Sequence, residues 1–339
     1  MSAVAAALAD YAGQLSKNTS RTVAGVAQLF TMYVVPAKTF VEMVALKPFE
    51  VLLQEGVLVA FDEQEGHALF VSHQWLTSGH LDPKMEQFKI LQDALKNILA
   101  GVSTVPASLG LEFLEGRGRT AVGGEMCGRP LFVWYDYLCC PQVEGKREEA
   151  ILSLPAYVEK CRFFAILCPP VQNSSAETLS KETYEGRAWC RLERACRMLT
   201  LQEDAGEIIE IQGPEEQAIV PASTWMRSPV GEGDLSNQDD RPLLGQVLQQ
   251  MVQGKMMAFL MKGNFHKYRL IFALLRAHFA GLPKKPVENL VPGFVSKATD
   301  PADFFLAEYM HQNGFSSVTD QDAEGWTPLC YASLLGNPM

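Results

Sequence analysis

Short apolar runs alternate with amphipathic segments through the middle of the chain. The apolar runs are rich in β-branched and aromatic residues, which indicates strands at residues 68–72, 131–136, 163–168 and 207–211. In the intervening segments apolar residues recur at spacings of three and four, which predicts helices near 84–99, 146–160 and 188–201. This alternation predicts an α/β fold with a mostly parallel sheet, in which ligands bind beyond the carboxyl ends of the strands.

The flanking regions have different patterns. Near the amino end, Leu8, Tyr11 and Leu15 belong to the apolar stripe of an amphipathic helix, and the apolar segment 22–36 is typical of a buried helix. Residues 57–61 predict a short strand that forms a hairpin with strand 68–72. We therefore divide the chain into a helical extension (1–54), an α/β domain (55–212), an acidic linker (213–242), a helical segment (243–300) and a carboxyl-terminal repeat region (301–339).

Composition limits the possible functions. The chain has 339 residues, of which 47% are hydrophobic and 20% charged, as in an ordinary globular protein. The net charge of −10 argues against a general nucleic-acid binder. The eight cysteines include no Cys-x-x-Cys pair, which favours reduced thiols and a cytoplasmic location over a disulfide framework. Segment 22–36 is too short to span a membrane, so we expect no membrane insertion.

The charges are distributed unevenly along the chain. Residues 203–240 contain ten acidic residues and one basic residue, whereas residues 255–285 contain seven Lys or Arg and no acid. The basic segment also carries several aromatic residues. It therefore either pairs with the acidic segment or forms a surface for acidic membranes.

The segment around Glu193 has a distinctive order of residues. Trp189 and Cys190 stand at the start of the predicted helix 188–201, and Glu193 follows almost one turn later. This Trp-Cys-x-x-Glu order resembles the signature of TIR domains. In the members of that family that cleave NAD, the glutamate lies in the substrate pocket, so the resemblance implies the same position for Glu193.

Two further segments strengthen this resemblance. Residues 68–75, which end in Ser-His-Gln-Trp, look like the first TIR strand and the turn after it. Residues 131–142 resemble the Trp-x-Asp-x-x-Cys-x-x-Gln core of the related fungal heterokaryon-incompatibility (HET) domains. The resemblance covers residues 65–212. It implies a flavodoxin-like fold, self-association into homo-oligomers and, in enzymatic members, NAD as a substrate and not as a cofactor.

A second resemblance lies at the carboxyl end. Residues 327–332 read Thr-Pro-Leu-Cys-Tyr-Ala, which resembles the Thr-Pro-Leu-His-x-Ala opening of an ankyrin repeat, with Cys330 in place of the usual histidine. Residues 302–314 resemble the second helix of a preceding repeat. About one and a half repeats are recognisable, although about three are usually needed for a stable array. The resemblance implies binding of a protein partner.

Glu193 is the candidate catalytic residue. Cleavage of NAD at the nicotinamide ribose passes through a cation-like transition state, and a carboxylate beside the ribose can stabilise the developing positive charge. The alternative is a helix-surface ion pair with Arg197, which lies four residues later.

The candidate substrate-binding residues follow predicted strands or begin the same helix. They are Ser72, His73, Trp75, Asp136, Tyr137, Arg187 and Trp189. Each has a structural alternative: the polar residues can form turns, Arg187 can pair with an acid instead of a phosphate, and Trp189 can pack its helix against the sheet. No spacing of ligand residues indicates a metal site.

These observations predict an intracellular signalling or defence-type module. Its TIR-like domain self-associates and hydrolyses NAD, and its ankyrin repeats bind a protein. The competing hypothesis is a non-enzymatic adaptor in which the same domain only docks or oligomerises. A third hypothesis is a peripheral membrane protein that uses residues 255–285.

Overall fold

The computed structural model describes residues 3–17, 27–77, 81–109, 111–112, 122–173, 175–201, 208–221 and 228–334. The chain forms two compact units. Residues 27–240 form one of them, which we call the α/β unit. Residues 1–26 and 241–339 form the other, which we call the helical unit.

A central sheet organises the α/β unit. In chain order the strands are β1 (Tyr33–Pro36), β2 (Val59–Ala60), β3 (His67–His73), β4 (Leu131–Tyr135), β5 (Phe163–Leu167), β6 (Val171–Gln172), β7 (Thr178–Leu179), β8 (Ile208–Ile211) and β9 (Gln217–Val220). The sheet order is β2-β1-β4-β3-β5-β8-β9, and β6 and β7 form a separate hairpin. The four middle strands are parallel, and the outer strands on both sides are antiparallel. The predicted α/β fold with a mostly parallel sheet is therefore confirmed.

Helices connect these strands. Within the described residues of the α/β unit they are α2 (Ala37–Glu42), α3 (Phe49–Gln54), α4 (Glu86–Leu99), α5 (Val122–Cys127), α6 (Asp136–Cys139), α7 (Lys146–Leu152), α8 (Leu154–Lys160), α9 (Lys181–Gly186) and α10 (Ala188–Leu199). The helical unit contains α1 (Ala3–Lys17), α11 (Arg241–Met261), α12 (Phe265–His278), α13 (Pro301–Asn313) and α14 (Pro328–Ser333).

Alternation along the strands gives the sheet two apolar faces. On one face, Phe70 stacks on Trp134 at 4.3 Å and on Phe164 at 5.2 Å between ring centroids, so an aromatic row crosses the three central strands. Helices α8 and α10 cover this face, because Tyr157 contacts Trp134 and Arg197 lies over Phe164. On the other face, aromatic side chains of β4, α2 and α4 pack together. The sheet is therefore buried on both sides.

Several elements differ from the sequence prediction. Residues 33–36 form strand β1 instead of part of a buried helix, and residues 22–26 lie outside the described residues. The helix predicted at 146–160 is divided at Ser153, whose hydroxyl accepts the N–H groups of Leu29 and Phe30. The predicted acidic linker contains β9, which pairs with β8, and the predicted strand residue Glu207 is outside the described residues. In each case the observed structure depends on pairing or hydrogen bonds with residues that are distant in sequence.

The two units also divide the chain differently from the predicted domains. Residues 27–54 belong to the α/β unit, although we expected them in a helical extension. The boundary between residues 240 and 241 lies two residues before the expected end of the linker. Residues Val122–Cys127 form helix α5, where Gly123 lies against the carbonyl group of Ile98.

In the helical unit, α1 packs against α11 and α13. Leu8 of α1 contacts Gly314, and the Ser16 hydroxyl donates to the carbonyl group of Met261. Two basic residues of the segment 255–285 pair inside this unit, Arg269 with Asp322 and Arg276 with Glu288. No helix in the described residues is long and apolar enough to cross a membrane.

The turn before α14 is built around Asp322. Its side chain is only 4% exposed and accepts hydrogen bonds from Tyr331, from His266 and from the backbone N–H groups of Glu324 and Trp326. Burial raises the pKa of Asp322, but these hydrogen bonds outweigh burial and lower it overall. Asp322 therefore holds the turn as a paired anion. The predicted repeat residues 335–339 lie outside the described part.

Candidate functional site

A cavity of about 390 Å³ opens at the carboxyl ends of β3 and β4. This volume lies in the range of small-molecule sites, about 300–1,000 Å³. The walls come from the residues after β3 and β4, from α7 and α8, from the start of α10, and from residues 228–240, which we call the strap. Six of the eight predicted site residues line the cavity: His73, Trp75, Asp136, Arg187, Trp189 and Glu193.

Helix α10 carries Glu193 to the cavity. Trp189 and Glu193 are four residues apart and therefore share one helix face, which lines the cavity. The opposite positions, among them Leu192, Ala195 and Leu199, are buried. One face of α10 is therefore buried in the α/β unit, and the other face lines the cavity.

The carboxyl group of Glu193 rests on a hydroxyl pair. Ser72, the next-to-last residue of β3, donates to Glu193 Oε2 at 2.5 Å. The Tyr184 hydroxyl lies 2.6 Å from the Ser72 oxygen and donates to it, because the single proton of Ser72 is used by Glu193. Among the described residues, no lysine or arginine forms an ion pair with Glu193. The carboxyl group is therefore positioned by neutral groups.

Burial raises the pKa of Glu193 to about 8. The hydrogen bond from Ser72 and the positive charge of His73 lower this pKa, whereas the negative charge of Asp136 raises it further. At pH 7 the group is mostly protonated, and it ionises above pH 8. A small change in surroundings can thus switch the carboxyl group between its two forms near neutral pH.

Asp136 joins two cavity side chains. His73 Nε2 lies 2.8 Å from one oxygen of Asp136, and the Trp75 indole N–H donates to the other at 2.7 Å. Burial lowers the pKa of His73, but the charge and hydrogen bond of Asp136 outweigh burial and raise it. Burial raises the pKa of Asp136, but His73, Trp75 and the Tyr137 N–H lower it overall. The pair therefore favours protonated histidine beside ionised aspartate.

The strap is folded against the start of α10. Asp234 accepts from the Ala188 N–H at 3.0 Å and donates its own N–H to Gly186 at 2.8 Å. The Trp189 indole donates to Asp240 at 3.1 Å. A Cβ atom at Gly233 would lie 2.6 Å from Ala188 Cα, so this close approach requires glycine. The strap therefore supplies one wall of the cavity.

Two predicted site residues lie behind the cavity. Ser72 is fully buried and contacts Glu193, so it positions the carboxyl group and does not line the cavity. Tyr137 packs edge-on against Trp75, with ring centroids 6.0 Å apart. Neither side chain belongs to the cavity lining, and direct substrate contact by Ser72 and Tyr137 stays a prediction.

The structure also defines the roles of two further side chains of α10. Arg197 is buried and donates to the carbonyl oxygens of Cys161 and Arg162, so the hypothesis of a solvated surface pair with Glu193 is wrong. Burial raises the pKa of Cys190 well above its usual range, although Arg187 acts in the opposite direction. The Cys190 thiol is therefore not an activated nucleophile.

Sequence reasoning missed three important residues of the site. Tyr184 lies between the predicted strand 163–168 and the predicted helix 188–201, and Asp240 belongs to the predicted acidic linker. Arg147 stands in a charged stretch whose pattern is typical of a solvated helix. Only the position of Arg147, five residues after the end of the HET-like motif, was a signal that it faces the same site.

Within the described residues, no group of three or more His, Cys, Asp and Glu side chains could hold a metal ion. Comparison of the chain with protein-family models, with curated proteins and with solved structures gave no match.

Proposed function

We propose that the α/β unit binds NAD⁺ in this cavity and hydrolyses the bond between nicotinamide and ribose, with Glu193 as the catalytic residue. One observation carries the proposal: the half-buried Glu193, whose carboxyl group forms no ion pair with a lysine or arginine among the described residues, faces a cavity of ligand size. Leaving a carboxyl group in this state is costly for folding, and perturbed carboxyl groups of this kind are concentrated at functional sites.

The chemistry fits a carboxylate in this position. The C1′–N1 bond breaks, its electron pair leaves with neutral nicotinamide, and the ribose carbon becomes an oxocarbenium-like cation. Water then adds to C1′ and releases a proton. The leaving group needs no proton, so the ionised form of Glu193 is the active one, and it stabilises the cation as that cation forms.

The substrate itself favours this form. The nicotinamide ring of NAD⁺ is positively charged, and an opposite charge within a few ångströms favours ionisation of a carboxyl group. Binding therefore lowers the pKa of Glu193 from its value of about 8 in the free protein. The pH dependence of kcat/KM reports the free enzyme, whereas that of kcat reports the complex.

The topology supports a TIR-like assignment as part of the proposal. The parallel strands β4-β3-β5-β8 follow the order 2-1-3-4 along the chain. Flavodoxin-like sheets begin with the same order, and their ligands bind at the carboxyl edge. The proposal includes self-association of the α/β unit, because the resemblance to TIR domains implies it, and an intracellular signalling or defence role.

The test is NAD⁺ consumption by the purified chain at high protein concentration with a crowding agent. We expect nicotinamide release, and a loss of at least about a hundredfold in Glu193→Gln, which removes the charge from the transition state. Glu148→Gln is the matched control, because Glu148 is exposed on α7 and lies outside the cavity wall. Turnover that is unchanged in Glu193→Gln would remove Glu193 from the mechanism.

A non-enzymatic adaptor is the second candidate function. Apolar side chains are exposed on the ankyrin-like part of the helical unit, with Phe305 60% exposed and Leu329 73% exposed. Such residues can contact a protein partner. Absence of NAD⁺ turnover in the wild-type chain, together with self-association in analytical ultracentrifugation, would support this function over the enzyme.

A further inference from the structure

Two arginines face the cavity without a carboxylate partner among the described residues. Arg187, at the start of α10, donates to the neutral Ser236 hydroxyl at 2.7 Å. Arg147, the second residue of α7, lines the same cavity and is exposed. By contrast, Arg162 and Arg276 lie near Glu125 and Glu288 within ion-pair distance. The cavity therefore has, on two of its walls, a guanidinium group without an ion-pair partner among the described residues.

Arg187 and Glu193 stand at different positions along the cavity wall. Arg187 and Glu193 are six residues apart, which is about 9 Å along a helix at about 1.5 Å per residue. Arg147 approaches from α7 beside the Cys140 wall. Burial and the negative charge of Asp136 raise the pKa of Cys140 to about 12, and the positive charge of Arg147 opposes this rise. The cavity thus has two guanidinium groups on its walls and three carboxyl groups, Asp136, Glu193 and Asp240, of which Asp240 accepts the Trp189 indole N–H.

A ligand that matches Glu193 and the two arginines carries a cation at one end and phosphate groups at some distance from that cation. We infer that Arg147 and Arg187 bind the diphosphate of a dinucleotide whose positively charged nicotinamide end lies at Glu193, which rests on the proposed function. Guanidinium groups bind phosphate oxygens through two parallel charge-assisted hydrogen bonds. Selection of the substrate class therefore depends on the diphosphate, and a nucleoside without phosphate is a poor ligand.

The experiment measures binding without turnover. ADP-ribose, the part of NAD⁺ that remains after nicotinamide leaves, is titrated into the full chain by calorimetry, with adenosine as the phosphate-free probe. We expect ADP-ribose to bind at least about tenfold more tightly than adenosine. Arg147→Gln and Arg187→Gln should each weaken ADP-ribose binding roughly ten- to a hundredfold, the effect of one hydrogen-bonded charge.

Lys146→Gln is the matched control for Arg147→Gln. It removes the same charge one residue earlier on α7, at an exposed side chain outside the cavity wall, and should leave ADP-ribose affinity within about twofold. Equal ADP-ribose affinity in wild type and Arg147→Gln would overturn the inference, and so would no ADP-ribose binding at millimolar concentration. Because Arg147 is exposed, its substitution tests binding without loss of the fold.

The outcomes separate this inference from the proposed function. Arginine-dependent ADP-ribose binding without NAD⁺ hydrolysis would support the diphosphate site and contradict the enzyme. NAD⁺ hydrolysis with an unchanged KM in Arg147→Gln and Arg187→Gln would support the enzyme and overturn the diphosphate site.

Discussion

Two shielded carboxyl groups, Asp322 in the helical unit and Glu193 in the α/β unit, have opposite electrostatic surroundings. Asp322 lies 3.4 Å from Arg269 and accepts hydrogen bonds from side chains and from the backbone, and its pKa is lowered. Glu193 accepts from one hydroxyl group and forms no ion pair with a lysine or arginine in the described part of the chain, and its pKa is raised to about 8. Asp322 is packed in a turn, whereas Glu193 faces a cavity.

The carboxyl group of Asp322 therefore stabilises the fold, whereas the carboxyl group of Glu193 is available to a ligand. An ionised carboxylate with complete pairing stabilises the folded state, and its removal leaves its partners buried without compensation. A neutral carboxyl group in a cavity costs stability at neutral pH, since the unfolded chain would ionise it. Substitution should therefore have opposite effects on stability at the two positions.

The largest effect is expected at Asp322. Asp322→Ala leaves Arg269, His266 and Tyr331 without their shared acceptor, and we expect a loss of about 3–5 kcal/mol in the free energy of unfolding. Calorimetric unfolding measures this loss in the free energy of unfolding. Glu324→Ala is the control, because Glu324 is an exposed neighbour. A loss below about 1 kcal/mol would mean that the cluster does not hold the turn.

At Glu193 we expect the opposite sign. The pKa is about 8 in the folded state and 4.5 for an unperturbed glutamate side chain, so the folded state retains a proton that the unfolded chain loses between these pH values. Stability therefore falls as pH rises through this window, and Glu193→Gln should be more stable than wild type by up to about 3 kcal/mol at pH 7. Thermal unfolding from pH 4.5 to 8 measures the difference, which should vanish near pH 4.5. A Gln variant less stable than wild type at pH 7 would contradict this account.

The smallest effect is expected at Ser72. Its hydrogen bond lowers the pKa of Glu193, so Ser72→Ala should move the midpoint of the pH dependence of kcat/KM for NAD⁺ upward by about half to one pH unit. Ser236→Ala is the control, because Ser236 lines the cavity and contacts Arg187 instead. A downward shift in Ser72→Ala would show that the hydroxyl does not stabilise the ionised form.

The sequence allowed much of the parallel sheet to be predicted, because its strands and helices carry local periodicity. The sequence also allowed the proximity of His73, Asp136 and Glu193 to be predicted. The first two stand at the carboxyl ends of β3 and β4, and Glu193 lies in the first half of α10. Parallel strands share one carboxyl edge, so residues at the ends of neighbouring strands could be predicted to lie close together.

The antiparallel edges and the strap could not be predicted in the same way. Strand β1 is defined by pairing with β4, which is almost a hundred residues away, and the buried helix expected there has the same apolar composition. The strap is rich in glycine, proline and acids, which is typical of a linker, yet Gly233 and Asp234 fix it against α10. Arg147 has the composition of a solvated helix surface, and only the fold brings it to the cavity.

The central claim is that burial holds Glu193 neutral until it ionises to act on a bound substrate. The most direct test is the pH dependence of kcat/KM for NAD⁺ cleavage by the wild-type chain from pH 6 to 9. We expect kcat/KM to rise to a plateau with a midpoint near 8, the pKa of Glu193 in the free protein. A profile that is flat or falling over this range, or no NAD⁺ cleavage at any pH, would contradict the claim.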